Sequence, residues 1–171
     1  MVNGTLDPYA EVGDDSFDVL QLRAAEGLEL PEAGDAVRGR HFELRRSGIN
    51  GRPMAMDRVD ETVVRGTTEV WTLRNGGDMT HNFHVQDVQF RVLDVDGKRP
   101  DPALRGRKDT VAVPVGSTVR IALRFDGPSD PDTAYMYHCH LLSHEDEGMM
   151  GQFVVVDKGR RAGAPPGHAG H

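Results

Sequence analysis

The sequence predicts an all-β fold, a Greek-key β-sandwich, and three observations support this prediction. Short runs in which apolar and polar residues alternate recur between residues 41 and 157, as in strands with one buried face. Clusters rich in Gly, Pro, Asn and Asp separate these runs and suit tight turns. The 20 glycines and 10 prolines, with 37% hydrophobic residues, favour a turn-rich β domain over a helical bundle.

Seven segments carry the strand pattern. In chain order they are FELRR, TTEVWTLRN, HNFHVQDVQFRVLDV, DTVAVPV, STVRIALRF, AYMYHCH and GQFVVVD. The breaks between them include NGG, VDGKRPDP, PVG and DGPSDPD. Short strands at this spacing are typical of a sandwich with Greek-key connections.

The chain divides into three predicted parts. Residues 1–40 are expected to be the end of a preceding domain and a linker, because DSFDVLQLRA alternates like one strand and AAEGLELPEAGDAVRG has a linker composition. Residues 41–157 form the predicted β domain. Residues 158–171, KGRRAGAPPGHAGH, have the composition of a disordered tail.

Composition and charge narrow the classes of partner. The formal net charge of −7 predicts that nucleic acid is not a partner. No apolar run approaches the roughly 18 residues of a membrane helix, so no membrane partner is expected. The acidic N-terminal residues lack the apolar stretch of a signal peptide, which leaves the compartment open. The single cysteine, Cys139, cannot form an internal disulfide.

Five of the eight histidines fall in two clusters, HNFH and HCHLLSH. Successive side chains of a strand point to opposite faces. If both clusters are extended, Cys139 and His81 share one face. The opposite face then carries three imidazoles, those of His84, His138 and His140. The pattern therefore predicts two sites, back to back.

The first predicted site has the ligand set of a blue copper centre. It gathers His81, Cys139, His144 and Met149, the last two from the loop beyond the strand. Two imidazoles, a thiolate and a thioether suit a trigonal copper plane with a weak axial Met. Zinc is the alternative metal, although it seldom recruits Met. Without a metal, Cys139 would be a small buried hydrophobe beside a hydrogen-bonded imidazole.

The second predicted site has three imidazoles and no thiolate, which suits copper or zinc bound to small oxygen ligands. Cys139 lies between His138 and His140 in the chain. The thiolate ligand of one site is therefore one peptide unit away from the imidazoles of the other, and an electron has a covalent path between them.

These motifs resemble the C-terminal cupredoxin domain of three-domain multicopper oxidases, of the bacterial laccase, cuprous oxidase and spore-coat or bilirubin-oxidase type. The resemblance covers roughly residues 41–157. Its motifs, in the family's order, are INGRPMAMDRVDETVVRGTTEVWTLRN, HNFHVQDVQFRVL and YMYHCHLLSHEDEGMMGQFVVV. DPYAEVGDDSFDVLQLRA is similar to the end of the preceding domain. The resemblance implies a cupredoxin-like sandwich with copper as its cofactor.

The resemblance also implies a role for each candidate residue. The type 1 copper ligands would be His81, Cys139, His144 and Met149. This domain's share of the trinuclear cluster, where O2 is reduced to water, would be His84, His138 and His140. Glu145 matches an acidic residue that donates protons near the cluster, although by itself it reads as a solvated charge in HEDE.

The sequence departs from the family pattern in two ways. The family's H-P-x-H-x-H reads HNFHVQ here, so Gln86 replaces one cluster imidazole and one copper is expected to be weakly held or absent. The family also supplies two H-x-H pairs from its N-terminal domain, and HCH at 138–140 is the only such string in this sequence. A single copy of the chain is therefore not expected to act as an oxidase.

The predicted function is that of a copper-binding redox domain of a laccase-like multicopper oxidase. It would take single electrons from a phenol, an aromatic amine or a metal ion and pass them through Cys139 toward the cluster. The loop DVDGKRPDPALRGRK contains no Met, which disfavours cuprous ion as the reductant. O2 would react only in a complete oxidase, in which other domains or chains supply the missing ligands. The alternatives are a standalone blue-copper electron-transfer protein and a zinc-binding structural protein.

Overall fold

The computed structural model describes residues 30–45 and 48–163. In these ranges the chain forms eleven strands and one short α-helix. The strands are β1 (Ala36–Arg45), β2 (Gly48–Ile49), β3 (Glu61–Val64), β4 (Thr68–Asn75), β5 (His81–Val85), β6 (Phe90–Val95), β7 (Arg107–Lys108), β8 (Thr110–Val113), β9 (Thr118–Arg124), β10 (Asp130–Cys139) and β11 (Met150–Val156). The helix α1 is Leu142–Asp146, and two 3-10 turns cover Ala33–Asp35 and Pro102–Leu104.

The strands form two sheets that pack face to face. One sheet has six strands in the order β2-β1-β4-β9-β6-β7, and the other has five in the order β3-β11-β10-β5-β8. Most pairs are antiparallel, but β1 runs parallel to β4 and β11 runs parallel to β3. The predicted all-β, cupredoxin-like sandwich is confirmed.

Three details differ from the strand prediction. The segment HNFHVQDVQFRVLDV is two strands, β5 and β6, which separate at a turn where Asp87 has a φ of 57°. The first strand begins at Ala36, inside the predicted linker, because its backbone pairs with β4 from Ala36 onward. The sequence pattern missed β2, β3 and β7, because strands of two to four residues are too short to display an alternation.

The preceding strand predicted in DSFDVLQLRA and most of the predicted tail lie outside the described residues. The division into parts at residues 40 and 157 remains a prediction. Within the described residues, no helix has the length and apolar character to cross a membrane.

The core between the sheets is built around aromatic rings. Trp71 is fully buried on β4, with the Phe42 ring 4.7 Å away and the Tyr137 ring 5.8 Å away, centroid to centroid. Phe83 and Phe153 make edge-on contacts with the same indole. Rings in such tilted and edge-on arrangements form a dense, rigid core. The inward-pointing side chains of β5 and β10 therefore pack against a rigid core.

The register of β5 against β10 decides where the histidines point. Cys139 pairs with Phe83, and His138 pairs with His84. Burial alternates along β5, with His81, Phe83 and Val85 buried and the residues between them half-buried. The thiol therefore enters the interior, while the directly paired imidazoles of His84 and His138 occupy the other face of the sheet.

Candidate metal centre

The structure brings His81, Cys139 and His144 together in a buried pocket at one end of the sandwich. The Nδ1 atoms of the two imidazoles lie 3.2 Å apart. The Cys139 Sγ lies 3.7 Å from Nδ1 of His81 and 3.5 Å from Nδ1 of His144. All three side chains are at most 2% exposed. Within residues 30–45 and 48–163, this is the one group of three or more His, Cys, Asp or Glu residues whose candidate ligand atoms all lie within 4.8 Å of one another.

The hairpin between β10 and β11 delivers three of the four predicted ligands. Cys139 is the last residue of β10, His144 lies on α1, and Met149 directly precedes β11. The backbone of Met149 donates a hydrogen bond to the His144 carbonyl (2.9 Å) and accepts one from the Cys139 N–H (3.1 Å). Gly148 makes this tight return possible, because its φ of 86° is a conformation that other residues rarely adopt. The Met149 side chain is fully buried.

The electrostatics of this pocket suit a metal ligand set. Burial, and then the neighbouring imidazole of His144, lower the pKa of His81, with a smaller opposing effect from Asp78. The neutral imidazole is therefore the favoured form, and neutral imidazole is the form that binds metals. If Nδ1 of His81 is the ligand atom, its proton sits on Nε2, which is buried and has no hydrogen-bond partner in the described structure.

The residues present fit copper. Two imidazole nitrogens and one thiolate sulfur converge without a carboxylate among them, and soft sulfur with imidazole is a donor set that copper prefers. The buried thioether of Met149 follows directly in the same hairpin. The assignment of each residue as a ligand remains a prediction.

The second predicted group lies on the outer face of β5 and β10. The ring centroids of His84, His138 and His140 are 5.2 to 5.4 Å apart in pairs. The sequence placed all three facing outward, but exposure differs, since His140 is exposed, His84 is half-buried and His138 is buried. Burial, and then the charge of His138, lower the pKa of His84, so the neutral ring is favoured here too.

Backbone and hydroxyl oxygens orient the rings of this face. Nδ1 of His84 lies 3.0 Å from both the Asp109 carbonyl and the Thr110 hydroxyl. Nδ1 of His138 lies 3.3 Å from the Cys139 carbonyl. A carbonyl oxygen can only accept, so each Nδ1 carries the proton and each Nε2 is left as the ligand atom. Sequence reasoning had placed Asp109 and Thr110 only as strand residues.

Glu145 lies near the imidazoles of this face, whereas the Gln86 side chain is bonded to the backbone of β10. Glu145 follows His144 on α1, and its Oε2 lies 3.9 Å from Nδ1 of His138, with the side chain one-third exposed. The Gln86 side chain accepts a hydrogen bond from the Met136 N–H (2.9 Å), and the Gln86 N–H donates to the Met136 carbonyl (2.9 Å). The Gln86 amide oxygen therefore extends the pairing with β10.

Comparisons with known proteins agree with this geometry. The family model "Multicopper oxidase" matches residues 28–159. Multicopper oxidase mco of Staphylococcus haemolyticus is 40% identical over 113 residues, which are 64% of this chain and 24% of that protein. Cell division protein FtsP of Escherichia coli is 36% identical over 124 residues, 72% of this chain and 26% of that protein. The chain thus spans about a quarter of the length of these relatives.

Among solved structures, the laccase-like multi-copper oxidase CueO of Ochrobactrum sp. is similar with a TM-score of 0.69 and 32% identity. The match covers 77% of this chain and 33% of that one, and that protein is described as having oxidase activity towards lignin model compounds and lignosulfonate. The family model spans more than half of the chain, and the fold and the His–Cys–His group agree with it. The chain belongs to the multicopper oxidase family.

Proposed function

We propose that this chain is the copper-binding redox domain of a laccase-like multicopper oxidase. The observation that carries the proposal is the buried convergence of His81, Cys139 and His144. Copper bound there would supply one-electron redox chemistry. The two imidazoles and the thiol would hold the ion, Met149 would be a further candidate ligand, and the aromatic core would keep the group rigid. Family membership alone leaves redox activity open, because the FtsP relatives are named for cell division.

The chain connects this pocket to the three-imidazole face by a short route. Cys139 is covalently joined to His138 and His140, whose rings lie on the opposite side of the sheet. The contact of 3.3 Å between Nδ1 of His138 and the Cys139 carbonyl adds a hydrogen-bonded shortcut. Cys139 would conduct electrons from the buried pocket toward this face, and Glu145, whose Oε2 lies 3.9 Å from Nδ1 of His138, would be the candidate proton donor there.

Exposed apolar side chains close in the chain to two predicted ligands suit an aromatic reductant, so we propose a phenol or an aromatic amine in preference to a metal ion. Leu142, two residues before His144, is 75% exposed, and Met79, two residues before His81, is 46% exposed. Exposed large hydrophobic side chains on α1 and in the loop before β5 can pack against a flat aromatic ring. Reduction of O2 would require the remaining cluster ligands from other domains or chains.

The standalone electron-transfer protein remains the second candidate, and Gln86 favours it. The Gln86 side-chain amide is bonded to the Met136 backbone. The outer face therefore keeps three imidazoles and has no fourth imidazole at position 86. Binding of a partner that supplies the missing cluster histidines would favour the oxidase over the standalone electron-transfer protein. Sedimentation of the copper-loaded chain, alone and with candidate partners, would distinguish an assembly from a free carrier.

We expect the copper(II)-loaded chain to absorb intensely at about 600 nm, as a thiolate–copper centre does. Cys139→Ser should abolish this band, because a hydroxyl cannot replace the thiolate, while the far-ultraviolet circular dichroism stays that of a β protein. His41→Gln is the matched control, since His41 is an exposed histidine on β1, and it should leave the band unchanged. A colourless wild-type protein with one equivalent of zinc would rule out the copper assignment.

The purified chain alone is expected to show no O2 consumption with phenolic reductants. At most three of the cluster imidazoles are present, so the site for O2 cannot be complete in one copy. An O2 electrode with copper-loaded protein and 2,6-dimethoxyphenol measures this directly, with a complete laccase as the positive control. Turnover by monomeric protein above that of the Cys139→Ser variant would show that the count of cluster ligands is wrong.

A further inference from the structure

Asn75, the last residue of β4, has a side chain that is completely buried and fully hydrogen-bonded. Its Nδ2 donates to the carbonyls of Met79 (2.7 Å) and Val113 (2.8 Å). Its Oδ1 accepts from the Gly77 N–H (2.9 Å). Both amide protons and the amide oxygen are therefore used, and no water is needed to satisfy them.

The three partners of Asn75 surround His81. Met79 lies two residues before His81 in the loop of residues 76–80. Val113 on β8 is the cross-strand partner of His81. Gly77 lies against the imidazole itself, because a Cβ built on Gly77 would be only 3.3 Å from Nε2 of His81. One side chain thus fixes the loop before this histidine, the strand beside it and the backbone against its ring.

Asn75 is itself held in place by its backbone. Its N–H donates to the Ser117 carbonyl (3.0 Å), and its carbonyl accepts from the Gly116 N–H (3.2 Å). Both contacts are to the turn between β8 and β9. The side chain is therefore attached to a rigid point of the sandwich, from which it can hold the glycine-containing loop that would otherwise have wide conformational freedom.

We infer that Asn75 is a positioning residue of the metal centre, which keeps Nδ1 of His81 aimed at the Cys139 thiol by holding residues 76–80 against the imidazole. The inference rests on the proposed copper site and goes beyond it, since Asn75 touches neither the thiol nor any predicted ligand atom. Residues that orient metal ligands from outside commonly change metal affinity by 10- to 100-fold when they are replaced.

Two variants test this role. Asn75→Leu preserves the approximate volume and removes all three hydrogen bonds, whereas Asn75→Asp keeps the acceptor for the Gly77 N–H and loses both donors. Val63→Ala is the matched control for simple destabilisation. Val63 is fully buried on β3 and pairs with Val155 of β11.

The first readout is the rate at which copper is lost to excess chelator, followed together with the absorption and electron spin resonance spectra. We expect loss to be about 10- to 100-fold faster in Asn75→Leu, a smaller increase in Asn75→Asp, and altered spectra in both. Val63→Ala should release copper at the wild-type rate with the wild-type spectrum. Wild-type rates and spectra in both Asn75 variants would overturn the inference.

The second readout uses metal-free protein, so that the inference and the proposed function can fail separately. Imidazole ¹⁵N spectra should show one sharp set of His81 resonances in the wild type and in Val63→Ala, but broadened or multiple sets in Asn75→Asp. If Asn75→Leu does not fold, Asn75→Asp carries the test. If the wild type binds no copper, the proposed function fails. An unchanged His81 ring in Asn75→Asp overturns the positioning role whatever the metal result.

Discussion

Replacing Arg40 by alanine is expected to lower the free energy of unfolding by about 3–5 kcal/mol, because it leaves a buried carboxylate without its partner. Arg40 on β1 donates to both carboxylate oxygens of Glu69 on β4, at 2.5 and 2.9 Å. It also pairs with Glu61 on β3 and donates to the Thr62 carbonyl (2.7 Å). The side chains of Arg40 and Glu69 are 8% and 4% exposed, so water cannot replace the lost contacts.

This cluster links the two sheets at the end of β4 away from the metal centre. Glu69 and Asn75 are six residues apart on that strand, a distance of about 20 Å. The Trp71 indole N–H also donates to Glu69 (2.9 Å), so the cluster is joined to the aromatic core. Arg40→Ala should therefore reduce stability without changing the colour of the copper-loaded protein.

Urea unfolding followed by Trp71 fluorescence measures the effect, with a double variant as the control. Arg40→Met combined with Glu69→Gln removes the two most buried charges and leaves only the more exposed Glu61 carboxylate, 21% exposed, without its partner. The glutamine oxygen can still accept from the indole. We expect this pair to recover most of the loss, because the main cost of Arg40→Ala is the unpaired charge and not the missing attraction. A double variant as unstable as Arg40→Ala would contradict this explanation.

The convergence of His81, Cys139 and His144 could be predicted from the sequence because strand alternation is a local property. The positions of His81 and Cys139 follow from the two-residue period of β5 and β10 once the strands are aligned, and the register agrees. The same period separated His84 and His138 from the thiol. His144 needed only proximity in the chain, since it is five residues from Cys139. Local spacing and donor chemistry were enough for all of these residues.

The residues that support the centre could not be found in this way, because their roles depend on contacts between distant segments. Asn75 stood in a segment read as a strand end followed by an NGG turn, and its bond to Val113 spans 38 positions. Arg40 and Glu69 are 29 positions apart, and no local pattern in the sequence pairs them. Gln86 was recognised as an exception, but its bond to Met136, 50 positions away, appears only in the fold. None of these pairings has a periodicity that a single sequence displays.

Copper is expected to stabilise the chain strongly, with a rise in the thermal unfolding midpoint of about 5–10 °C when free copper is 100 times its dissociation constant. The predicted ligand atoms come from β5, the end of β10 and α1, which lie close together only in the folded chain. A metal that binds the folded state alone stabilises it by about 2.7 kcal/mol at that concentration. Differential scanning calorimetry with and without copper, followed by chelator, measures the rise and its reversal.

The pH dependence of this stabilisation has a definite sign. Burial and the neighbouring His144 keep the pKa of His81 below its ordinary value in the fold, whereas the unfolded chain takes up protons as the pH falls through about 6.5. Metal-free protein should therefore lose stability on acidification below that pH, because the unfolded state binds more protons.

Copper must also compete with protons for the imidazole and the thiol, so its added stabilisation should be full at pH 7.5 and reduced at pH 5. Cys139→Ser should show the metal-free acid dependence but little of the copper effect. An equal copper-induced rise in that variant would place the stabilising metal outside the His81–Cys139–His144 pocket.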